Sequence, residues 1–76
     1  MKKHVKRLIK EHSKLQDKYN KLVNYIIAVH NGDIEHPSDK DFALMRVQVS
    51  SMGTYLITLE KRLNHNGITV GIEEYY

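Results

Sequence analysis

Two apolar stripes, stepping alternately by three and four residues, leave this chain little choice but to fold as paired helices. The first runs Val5, Leu8, His12, Leu15, Tyr19, Leu22, Ile26, Val29. The second runs Phe42, Met45, Val49, Met52, Leu56, Leu59, Leu63. Each is the a/d seam of a heptad repeat, one apolar edge of a long helix. Only His12 breaks the first seam. Helix-favouring Lys, Gln and Leu fill the other faces. Asn31-Gly32 and Asn66-Gly67 end the two stripes, each with a glycine free to take positive φ. Ser38-x-x-Asp41 resembles a capping box, and Asp39 and Asp41 place negative charge at the positive end of the helix dipole.

This pattern predicts an all-α fold: helix 1 over about 3–30, a loop over 31–38 and helix 2 over about 39–65, forming one helical hairpin over 1–67. Each helix spans roughly 40 Å. Equal lengths across a short loop predict antiparallel, coiled-coil-like pairing. Beyond Gly67 the character changes. Ile68, Val70 and Ile72 alternate as one face of a strand does. With no second strand in the chain, residues 68–76 are expected to form an extended C-terminal tail, free or laid across another subunit.

Seventy-six residues make one domain at most, and a core of that size is marginal by itself. The chain has no cysteine, which rules out disulfides and thiolate zinc sites. Oligomerisation or very regular helix packing remains. The longest apolar run, Tyr25 to Val29, falls far short of the roughly 20 residues that span a bilayer. The basic start, Met1 to Arg7, is not followed by an apolar signal region. A soluble, cytoplasmic protein with no membrane partner is expected.

The net charge of +3 hides an asymmetry. Residues 1–30 hold eight Lys/Arg against Glu11 and Asp17; residues 31–45 hold four carboxylates against Lys40. A basic helix beside an acidic turn is a polarised surface. Lys3, Arg7, Lys10 and Lys14, continued by Lys18 and Lys21, follow helical spacing on one face. That face is either simply solvated or meets the phosphates of nucleic acid.

If the hairpin closes about its loop, facing residues have numbers summing to about 71. Leu22 then meets Val49, and Leu15 meets Leu56. On one flank Tyr25 lies near Gln48, Lys18 near Tyr55, and Glu11 near Arg62. On the other, Val23 lies near Arg46, Gln16 near Gly53, and Ile9 near Glu60. Lys18, Tyr25, Gln48, Tyr55 and Arg62 form a candidate ligand strip: tyrosine rings stack on a planar base while Lys18 and Arg62 meet phosphate or carboxylate. The plainer reading of the same row is a polar rim that sets helix register.

Ile9, Val23, Ile27, Leu44, Val47 and Ile57 fall outside the seam, and Gly53 with its small neighbours Ser50, Ser51 and Thr54 lets another backbone approach closely. These residues predict an interface with further copies of the chain, at least a dimer, as in a four-helix bundle. The five histidines His4, His12, His30, His36 and His65 show no metal-ligand spacing, so neither metal nor cofactor is expected. His12, inside the seam near Leu59, is either a satisfied interface group or a pH switch. No nucleophile motif, phosphate loop or carboxylate pair in a cleft is present, which argues against an enzyme.

The run Glu11-x-x-x-Leu15-x-x-Lys18-Tyr19-x-Lys21-Leu22-x-x-Tyr25-Ile26, followed by Leu44-x-x-x-Gln48-x-x-x-Met52-x-x-Tyr55-x-x-x-Leu59-x-x-Arg62-Leu63, resembles a family of very small phage-encoded helical hairpins, labelled after a protein of a crAss-like phage. The resemblance spans residues 5–63. The chain departs from it in a longer loop containing His36-Pro37 and in its C-terminal tail. The resemblance implies a non-enzymatic phage accessory protein that acts by binding, in the cytoplasm of an infected bacterium. By analogy with other small helical oligomers, it implies a counter-defence inhibitor that binds a host immune component or sequesters a nucleotide second messenger. Two other readings stand beside it: a nucleic-acid-binding accessory using the basic face of helix 1, and a structural protein–protein adaptor.

Overall fold

The computed structural model describes residues 2–69, which contain two helices, α1 (Lys3–His30) and α2 (Asp39–His65). They pack side by side in opposite directions as a hairpin of 45 × 20 × 15 Å. Cross-helix contacts fix the register. His4 meets Asn66, His12 meets Glu60, and Tyr19 faces Gly53. These number pairs sum to 70–72, so the two stripes close on each other seam to seam.

The helix ends follow local chemistry. Ser38 Oγ accepts from the Asp41 amide at 3.2 Å, capping α2. Gly32 and Gly67 take φ of +80° and +81°, the left-handed turn that a residue with a Cβ resists. After Gly67 the chain folds back. The Ile68 amide donates to the Leu63 carbonyl at 2.9 Å, and its side chain packs on the core beside Ile9. Ile68 and Thr69 follow α2 without regular structure; the rest of the expected tail, residues 70–76, lies outside the described residues.

The packing is uneven along the hairpin. Its deepest part lies near the chain ends, where Leu8 closes on Leu59 and Leu63, with Val5 and Leu56 also buried. Towards the loop the seam thins. Leu22, Ile26, Met45, Val49 and Met52 are only half-buried, and Val29 alone of the described loop-proximal seam residues is buried. Midway, a Cβ on Gly53 would stand 3.4 Å from the Tyr19 ring. That is ordinary van der Waals contact, so the hairpin has room for a Cβ there, and the ring alone does not account for a residue that costs about 1 kcal/mol in a helix.

Candidate functional site

The strip of polar and aromatic residues divides in two. Lys18, Tyr25 and Gln48 line one shallow groove with Lys21, Leu22 and Met52. Leu22 and Met52, a turn apart in the seam and both half-buried, form an apolar floor. Tyr25 and Gln48 stand on opposite helices above it, and the two lysines edge it with positive charge. The groove measures about 370 Å³ and lies mostly open to solvent, so one copy does not enclose a ligand as ligand pockets do. Such a half-site offers an aromatic face for a planar ring, an amide for hydrogen bonding and cations for an anion.

Tyr55 and Arg62 lie outside this groove. Arg62 lines a separate depression at the chain ends with His4, Lys61 and His65. The Tyr55 hydroxyl donates to Glu11 Oε1, so Glu11 reaches Tyr55, where the sequence suggested Arg62. The fold raises the Tyr55 hydroxyl above its ordinary range, first through this hydrogen bond, then through lost solvation and the Glu11 charge, with Arg62 opposing. A raised value favours the protonated ring in the fold. The contact is therefore complete below the ordinary tyrosine value near pH 10 and lost as pH rises through the folded one. Alkaline titration followed by tyrosinate absorbance should show Tyr55 ionising late. Glu11→Ala should make it ionise earlier, and a titration indifferent to that change would remove the contact.

The basic face is fully presented. Lys3, Arg7, Lys10 and Lys14 are all exposed, the last three around a shallow surface with Glu11. One turn on, Lys21 pairs with Asp17 at 3.0 Å, an exposed i,i+4 bridge of little energetic weight.

Of the candidate interface residues, Ile9, Val23 and Gly53 are half-buried within the hairpin itself. Ile27, Leu44, Val47 and Ile57 remain exposed. Sequence reasoning missed Glu60. It is 1% exposed, and His12 Nε2 stands 2.9 Å from its Oε2. The signal was available, because the facing rule pairs 12 with a residue near 59. Glu60 Oε1 has no hydrogen-bond partner. Elsewhere His36 lies against the Phe42 ring, with centroids 4.8 Å apart. Among the described residues no three His or carboxylate side chains gather as metal ligands do, and no helix is long and apolar enough to cross a membrane.

No curated protein and no solved structure matches the chain. A family model described as Sequestin matches residues 2–65. That match takes in α1, the loop and α2 whole, with the groove, the basic face and the His12–Glu60 pair, and the chain belongs to the Sequestin family.

Proposed function

We propose that this protein acts by binding, not by chemistry, and that it sequesters a small nucleotide carrying a planar base and phosphate. The observation behind this reading is the groove that joins Tyr25 and Gln48 to Lys18 and Lys21 over the apolar floor of Leu22 and Met52. A ring stacks on Tyr25, Gln48 addresses its edge, and the lysines neutralise phosphate. The family description agrees with a sequestering role. The resemblance to phage-encoded hairpins supplies the setting: a counter-defence protein in an infected bacterium that withdraws an immune second messenger. The groove's open side suits a homo-oligomer in which another copy completes the enclosure.

The test is a thermal-shift series with cyclic dinucleotides, ADP-ribose-type nucleotides and duplex DNA. A ligand present at about 100 times its Kd adds roughly 2.7 kcal/mol of stability. A nucleotide shift of that kind is expected, lost in Lys18→Ala and Tyr25→Ala and retained in Lys14→Ala. Affinity for duplex DNA that falls steeply with salt and depends on Lys10 and Lys14 would transfer the function to the basic face. Silence towards all three would point to a protein target.

A further inference from the structure

Gln48, Tyr55 and Arg62 recur every seven residues and so share one flank of α2. The groove occupies the loop half of that flank, and a second depression occupies the chain-end half. Lys61, Arg62 and His65 of α2 and His4 of α1 stand round it, with Leu8 and Thr58 between them. It is shallow and open, about 320 Å³. Leu8 lies fourteen residues before Leu22, which sets the two concavities roughly 21 Å apart along α1. The Tyr55–Glu11 contact stands between them.

No carboxylate lines this depression. The two carboxylates in this half of the described hairpin are engaged elsewhere: Glu11 accepts from Tyr55, and Glu60 is buried beside His12. No acidic residue stands in the first turn of α1. Among the described residues neither Lys61 nor Arg62 forms an ion pair. The negative end of α2 is answered from within. Asn66 Nδ2 donates to the Arg62 carbonyl at 2.8 Å, and the Asn66, Gly67 and Ile68 amides donate to the Leu63 and Asn64 carbonyls. Those carbonyls do not need the Lys61 and Arg62 head groups as partners. Asn66 Oδ1 in turn accepts from His4 Nε2 at 3.3 Å, which ties the two helices together at the edge of the depression. The basic face of α1 differs on both counts. Its cations come from one helix, and Glu11 stands among them.

We propose that this depression is a second binding site, for a compact phosphate anion, separate from the groove. Arg62 offers a planar fork and Lys61 a point charge, both suited to phosphate oxygens. His65 adds a ring nitrogen, and His4, held to Asn66, closes the α1 side. No Tyr or Phe lines the site, and its one side-chain amide is already bonded at both ends. It therefore reads charge and size, where the groove offers the Tyr25 ring to a base. The site stands whether or not the groove takes a nucleotide.

Pyrophosphate is the probe, in phosphate-free buffer with ionic strength matched by chloride. Proton spectra follow the five imidazoles. Those of His4 and His65 should shift as pyrophosphate is added, while those of His30 and His36, at the loop end, should stay. Arg62→Gln combined with Lys61→Gln should weaken the affinity at least about tenfold, the worth of one charge-assisted contact, with helicity unchanged. Lys18→Ala and Lys14→Ala should both leave it intact. A 5′-mononucleotide that shifts His4 and His65 as well names a phosphate monoester as the source; one that leaves them still names the free polyanion. Affinity lost in Lys18→Ala returns the anion to the groove and overturns the second site. Equal shifts at His4, His30, His36 and His65 mean a diffuse field, and overturn it too. So does binding that tightens about tenfold in Glu73→Gln with Glu74→Gln, because the chain's own carboxylates would then be the occupant.

Discussion

Replacing His12 by leucine should destabilise the hairpin by about 3–5 kcal/mol, because it strands Glu60. Glu60 is 1% exposed, its Oε2 lies 2.9 Å from His12 Nε2, and its Oε1 is already without a partner. Leucine fills much the same volume as the imidazole, so packing is little changed and the loss is one of polar pairing. In a chain of this size that loss lowers the Tm by at least about 12 °C. The double replacement His12→Leu with Glu60→Leu should recover most of it, because a buried polar pair exchanged for apolar side chains is commonly neutral or stabilising. Urea unfolding of the four proteins in the cycle measures the coupling. A single-variant cost below about 1 kcal/mol would mean that water reaches the pair.

Leu59→Ala should cost about 2–5 kcal/mol. Leu59 is fully buried against Leu8 and Leu63, where the described residues have their core. Leu44, 57% exposed on the same helix, provides the contrast. In dilute solution Leu44→Ala should change stability by under about 0.5 kcal/mol. Urea midpoints for the two variants decide the point. If the Leu44 variant suffers only as concentration rises, another copy covers that side chain.

The stripes made the hairpin legible. Steps of three and four over both halves, with Asn-Gly after each, allow few structures other than two long helices and a turn. The facing rule also located Tyr25 beside Gln48, and so one end of the groove. It failed where side chains reach off their own level. Tyr55 was expected beside Lys18, but the length of the ring takes its hydroxyl to Glu11, more than a turn away. The facing rule sets Glu60 on the flank beside Ile9 and says nothing of its burial. Only the packing shows that Leu56, Leu59 and Leu63 carry it under cover with them. Ile9, Val23 and Gly53 lie outside the seam yet are half-buried: Ile9 packs on the core cluster, as does the returning Ile68 that no heptad pattern contains, and the seam residue Tyr19 lies beside Gly53.

The uneven seam bears on what the connection between the helices is for. Alignment is held at the termini, by Leu8, His12, Leu59, Glu60 and Leu63, far from residues 31–38. The linker acts as a tether and not as a ruler. Closing a longer tether costs only about 0.6 kcal/mol per doubling of its length. Lengthening residues 31–38 of this chain, or replacing His36-Pro37, should therefore leave the alignment of both helices unchanged, as the His12–Glu60 coupling would report.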